Sequence, residues 1–139
     1  MIVVDTNVVS ELMKPSPSGV VREWVLGQRP RELFTTSITV AEILDGIGRL
    51  PEGQRKDMLR TAATDIFTAF EDHVIPFDHD AAAPYASLVH CRDQRGLPID
   101  GFGAQIAAIC RAHHATLATR NVKDFEHTGV TLVDPWKPT

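Results

Sequence analysis

The sequence predicts an α/β fold, a three-layer sandwich with a central parallel sheet between two layers of helices. Three observations predict it. Short apolar, largely β-branched runs alternate with stretches of helical spacing, the pattern that builds parallel sheets. No repeat, low-complexity segment or linker divides the 139 residues, which fit one domain, 1–139. Hydrophobic residues make up 43% and charged residues 23% of the chain, ordinary values for a globular protein with a conventional core.

Taken in order, Ile2 to Val4 form a buried strand and Asn7 to Met13 a short helix, after which Pro15 and Pro17 break the chain. Ser18 caps a helix running to about Gly27, with Val21, Trp24 and Val25 on its apolar side. Leu33 to Thr36 are a second strand. Thr39 opens a helix through Leu50, and Pro51 begins another with Met58, Leu59, Ala62, Ile66, Phe67 and Phe70 at helical spacing. Val74 to Phe77 form a third strand, and the helix from His79 to about Arg95 is stopped by Gly96 and Pro98. An alanine-rich helix from Ala104 to His113, a strand from Thr116 to Thr119 and a last strand from Val130 to Val133 complete the chain.

Net charge is −4, so the molecule as a whole does not advertise a nucleic-acid binder. Local basic patches or a bridging metal can still hold a phosphate chain. Cys91 and Cys110 are the only cysteines, which gives no disulfide framework and suits a reducing cytoplasm. No basic leader or long apolar segment stands at the start, so neither secretion nor a membrane anchor is expected.

Asp5 ends the first strand. In a parallel sheet, ligands bind beyond the carboxyl ends of the strands, so Asp5 stands at the mouth of that crevice, as a metal ligand or as the cap of the next helix. Asn7 orients Asp5 or makes a turn bond. Glu42 closes Thr39-Val40-Ala41-Glu42, a T-x-x-E capping box in which Glu bonds back to the cap amide, while the first turn of that helix also faces the crevice. Asp124 lies in Thr119-Arg120-Asn121-Val122-Lys123-Asp124-Phe125, just past a strand end. There Thr119 and Asn121 can steer a ligand or a water, and Arg120 and Lys123 can hold phosphates. The alternatives for this segment are a helix cap and a solvated surface.

The six histidines show no H-E-x-x-H or similar spacing, and His113 and His114 suit the last turn of a helix, where cations complement the dipole. A P-loop, a G-x-G-x-x-G after a strand and a G-x-S-x-G elbow are all lacking, which removes P-loop nucleotide hydrolysis and serine-hydrolase chemistry. Phosphotransfer with Asp5 as nucleophile wants a second acid two residues on, where this chain has Asn7.

MIVVDTNVVSE at the start, SITVAEIL, AQIAAICRAHHATLATRNVKDF and the closing VDPW together resemble the PIN-domain ribonucleases, in particular the VapC-type toxins of bacterial toxin–antitoxin pairs and their FitB-like branch. The resemblance spans essentially the whole chain in the right order. It implies a PIN-like α/β/α sandwich and an endoribonuclease in which three or four acids hold Mg²⁺ or Mn²⁺. It further implies a homodimer and a cognate VapB-type antitoxin that blocks the acidic groove and carries the contact with operator DNA. Asp5 matches the first acid and Glu42 the second. The third is expected in a segment like A-D-A-Q-I-A-A, where this chain has Gly103 in place of the Asp. Asn121 and Asp124 are both candidates for the fourth.

A glycine near the start of a helix costs about 1 kcal/mol relative to alanine, and here it also removes a charge from a site meant for a dication. Asp100, three residues upstream, is a possible substitute or simply an N-terminal helix acid. Three helical residues displace a side chain by roughly 4.5 Å of rise and about 60° of rotation. The expectation is a metal-dependent RNase impaired by Gly103. The alternative is a catalytically inactive module that serves as antitoxin partner and co-repressor.

Overall fold

The computed structural model describes residues 1–139. Five strands, β1 (Ile2–Val4), β2 (Leu33–Thr36), β3 (Val74–Ile75), β4 (Thr116–Ala118) and β5 (Thr131–Val133), form one sheet in the order β3-β2-β1-β4-β5. Every pairing is parallel, with Ile2 beside both Leu33 and Thr116. Six helices cover the sheet: α1 (Thr6–Leu12), α2 (Gly19–Leu26), α3 (Ser37–Gly48), α4 (Gln54–Phe70), α5 (His79–Gln94) and α6 (Gly101–Ala112).

Side-chain alternation along the strands creates two cores. Val3 and Leu117 face one side, where they join Leu88 of α5 and Ile106 and Ile109 of α6. Val4 and Ala118 face the other, against Val8, Val9, Val21, Ile43 and Ile47 from the first three helices and Ala63 of α4. Neighbouring residues of one strand thus belong to opposite layers, as a period of two requires. Both faces are covered, which is why the strands read as continuous apolar runs.

Strand order places the site. From β1 the chain moves outward to β2 and β3, then returns across the sheet to lay β4 on the other side of β1. The direction reverses between β1 and β4, and a crevice opens beyond the carboxyl ends of strands at such a switch point. Asp5 follows β1 there and Thr119 follows β4. No helix is long and apolar enough to cross a membrane.

Several expected boundaries shift. The helix expected from Pro51 starts at Gln54, after Gly53 adopts φ +154°. The alanine-rich helix begins at Gly101 rather than Ala104, because Asp100 caps it. Three 3-10 turns, Pro30–Glu32, Glu71–His73 and Val122–Phe125, were not anticipated. Helix α5 ends as expected before Gly96, whose φ of +70° allows Leu97 N–H to donate to Arg92 O and Gly96 N–H to Asp93 O, a Schellman closure. Helix α6 closes in the same way through Ala115 N–H to Cys110 O and His114 N–H to Arg111 O.

Here the left-handed position is His114, at φ +53°. His113 and His114 therefore lie at the cap and beyond it, not in the last helical turn. A histidine in that conformation crowds its Cβ against the backbone. His114→Gly is expected to raise stability by about 1 kcal/mol, read as an increased urea midpoint at unchanged slope. A lower midpoint would show that the imidazole contributes more than its backbone strain removes.

Candidate active site

Asp5 is the buried centre of the crevice, 6% exposed. Its backbone N–H still extends the sheet, donating to Ala118 O at 2.9 Å, while its side chain turns to cap α1. Oδ1 accepts from Thr6 N–H at 2.8 Å, and Oδ2 accepts from the Thr119 hydroxyl at 2.8 Å. Asn7 reaches Oδ2 only at 3.5 Å. Orientation of Asp5 therefore falls to Thr119, and Asn7 instead ties the β4 exit, donating to Thr119 Oγ1 at 3.3 Å and accepting from Arg120 N–H at 3.3 Å. Asn121 N–H also donates to Thr119 Oγ1, at 3.1 Å.

Glu42 is not the acid of a capping box. The strand β2 ends at Thr36, and its side chain caps α3 by accepting from Thr39 N–H at 3.1 Å. Thr39 is thus the third helical residue, and Glu42 lies nearly a turn further on, facing the crevice. Its Oε1 accepts from the Thr6 hydroxyl at 2.9 Å. Thr39 Oγ1 lies 3.1 Å from Thr6 Oγ1 and 3.4 Å from Thr36 Oγ1, so the three hydroxyls run as a chain ending at Glu42. Thr36, Thr39 and Glu42 recur every third residue, a spacing that marks them as one face, yet Thr6 and Thr36 were missed as site residues.

The crevice is a cleft of about 450 Å³ that brings together Asp5, Asn7, Glu42, Asp100, Gly103, Arg120, Asn121 and Asp124. Asp124 is exposed and comes from the turn Val122–Phe125, which the buried Phe125 anchors. Glu11, Lys14 and Trp136 also line it; Glu11 and Trp136 figure in the sequence only as members of the motifs MIVVDTNVVSE and VDPW, and Lys14 not at all. Lys123 does not line it; its carbonyl instead accepts from the buried Arg92 at 3.4 Å.

Asp100 lies closer to position 103 than helical displacement implies. It precedes the helix as its cap, and its side chain folds back so that Oδ1 accepts from Gly103 N–H at 2.8 Å. A Cβ at position 103 would lie 3.0 Å from Asp100 Oδ2. The Asp100 carboxylate therefore covers the place from which an acid at 103 would emerge.

A sheet switch point lined with acids and bordered by the strand-end motifs matches one known arrangement. The model of the PIN domain family matches residues 2–130. The chain belongs to the PIN-domain family. VapC ribonuclease Y4jK of Sinorhizobium fredii is 37% identical over 139 residues, 99% of each chain. Toxin FitB of Neisseria gonorrhoeae is 33% identical over 137 residues, 98% of this chain and 99% of its own. The solved structure of FitAB bound to an IR36 DNA fragment has a TM-score of 0.92 at 32% identity, covering 100% of this chain and 98% of that one. The five-stranded parallel sheet with six helices is the PIN-like α/β/α fold.

Charge in this PIN-domain cleft is unbalanced. Glu11 is paired with Lys14 at 2.9 Å, whereas Asp5, Glu42, Asp100 and Asp124 enter no ion pair. Burial raises the Asp5 carboxyl above the ordinary range against the pull of Thr119 and Thr6, and the charges of Asp100 and Asp124 add to the rise. Glu42 is raised as well, by burial first and then by Asp5 and Asp100. All these donors are hard oxygens, the kind suited to Mg²⁺ or Mn²⁺, and they could hold such an ion. No three acidic, histidine or cysteine side chains yet stand in a geometry that would enclose one.

A carboxyl raised on folding contributes its stability below its unfolded pKa and loses it as pH rises through the folded value. At neutral pH, therefore, ionised Asp5 destabilises the metal-free fold. In EDTA, Asp5→Asn is expected to melt higher than the parent at pH 7. The gap should close as the pH falls below the ordinary carboxylate range. A variant that melts lower at pH 7 would show that the hydrogen bonds to the carboxylate outweigh its burial.

Proposed function

We propose that this chain is a metal-dependent endoribonuclease toxin of a toxin–antitoxin pair, impaired by Gly103. The observation that carries the reading is the set of four carboxylates, none in an ion pair, at the switch point of a PIN fold. The names of its relatives, a VapC ribonuclease and the toxin FitB, point the same way. The expected partners are RNA as substrate, a VapB-type antitoxin through which operator DNA is bound, and a second copy of this chain.

Asp5 and Glu42 would hold Mg²⁺ or Mn²⁺, with Asp124 and Asp100 acting directly or through water. When bound, the ion polarises the phosphodiester and lowers the pKa of water. Thr119 and the Thr6 amide fix the Asp5 carboxylate before substrate arrives, so little reorganisation remains at the reacting centre. Thr6 does the same for Glu42 Oε1 and leaves Oε2 without a protein partner, free to accept a proton from the attacking water. Asn121, whose N–H is bonded to Thr119 Oγ1 and which lines the cleft, would steer that water or a phosphate oxygen.

Gly103 weakens this arrangement in two ways. An acid is missing, and the nearest one, Asp100, uses one oxygen to cap α6. The lack of a closed three-acid geometry favours a second reading, an inactive module that binds antitoxin and assists repression. One comparison separates the two.

Gly103→Asp places its Cβ 3.0 Å from Asp100 Oδ2, a side-chain end that a small rotation of the capping carboxylate would move aside. The variant is expected to bind Mn²⁺ about tenfold or more tightly, the scale of a lost or gained ligand-shell group, and to cleave RNA where the parent is weak. Calorimetric titration with Mn²⁺ and gel analysis of total RNA, with EDTA as control, check both. Asp5→Asn on the Gly103→Asp background should abolish cleavage. Equal cleavage by parent and Gly103→Asp would give Asp100 the third acid's role, and silence from both across varied RNAs would favour the inactive module.

A further inference from the structure

The two cations of the cleft are held differently. Lys14 is tied to Glu11, whereas Arg120 enters no ion pair although five carboxylates line the same cleft. Its guanidinium lies instead over the indole of Trp136, with Cζ 5.0 Å from the ring centre. An exposed arginine beside so many acids would gain by turning towards one of them. The indole face holds it at the rim without a direct contact to any of them, although its charge still reaches Glu11 and helps hold that carboxyl low.

Both members of the pair are anchored. Trp136 follows the buried Pro135, and its N–H donates to Asp134 Oδ1 at 2.9 Å in a turn closed by Lys137 N–H to Asp134 O at 3.0 Å. Arg120 follows Thr119, the residue that orients Asp5, and its own N–H is held by Asn7. A planar cation therefore rests over an aromatic ring with its side chain otherwise exposed, within the cleft that holds the acids.

We propose that Arg120, backed by Trp136, is a stacking plate for one base of single-stranded RNA next to the bond to be cut. This rests on the ribonuclease reading given above. The open guanidinium face takes the base, while its N–H edge donates to the adjoining phosphate, a double contact that lysine cannot make. Every base has a π-face, so the plate selects an unpaired nucleotide rather than a particular letter. Trp136 is a positioning residue that keeps the plate flat.

The test measures binding of a labelled 12-nucleotide single-stranded RNA, and of an abasic oligonucleotide of the same length, by fluorescence anisotropy in Ca²⁺ at fixed salt. Arg120→Lys keeps the charge and loses the plane, so it is expected to weaken RNA binding about tenfold, the scale of one lost base stack, and to leave abasic binding nearly unchanged. Trp136→Leu should give the same selective loss. RNA affinity kept by Arg120→Lys, or equal losses on both oligonucleotides, would make Arg120 a phosphate contact only and overturn the plate while leaving the ribonuclease reading intact. Failure of the parent to bind RNA at all would overturn both.

Discussion

The hydrogen bond from Thr119 to Asp5 holds the rest of the site in place. It joins the first residues past β1 and β4, the two strands between which the chain reverses direction, and it does so around a carboxylate that is almost wholly buried. A buried charge without a partner is unfavourable unless hydrogen bonds or a counter-ion compensate it. Two close donors satisfy Asp5 here, no lysine or arginine pairs with it, and the neighbouring acids raise its proton affinity further. The fold thus concentrates negative charge at one point, the setting that the proposed divalent ion would neutralise.

Position 103 places two demands on one helix start. Asp100 must satisfy the first amides of α6, and an acid from the first turn of the same helix would complete the charge set. With glycine there, Asp100 caps the helix through Oδ1 while its Oδ2 lies over the vacant side-chain position. The helix is well capped, and the charge set is one acid short.

Much of the fold was legible because both faces of the sheet are covered. The first two strands, Ile2–Val4 and Leu33–Thr36, have the expected bounds, and the other three differ by a residue or two. Capping was less legible, because Thr36 and Thr39 are both good caps and only the strand end decides between them. The strand order, and hence the switch point that gathers Asp5, Thr119 and Asp124, depends on long-range pairing that no local pattern encodes. The same holds for the hydroxyl chain into Glu42, since Thr6 and Thr39 lie 33 residues apart. Asp5, Glu42, Asp100, Asn121 and Asp124 do share the cleft, while Lys123 falls outside it and Trp136 enters it from the far end of the chain. The closing VDPW motif suggested kinship, whereas its contact with Arg120 required the β4–β5 register.

The most direct test of this account is a crystal structure of the chain and of its Gly103→Asp variant, grown with Mn²⁺ and phased to locate the ion by anomalous scattering. An anomalous peak bounded by Asp5 and Glu42 in both, stronger in the variant, is the expected result. A peak elsewhere, or none in either crystal, would contradict it and leave the carboxylate cluster without the ion that its charge implies.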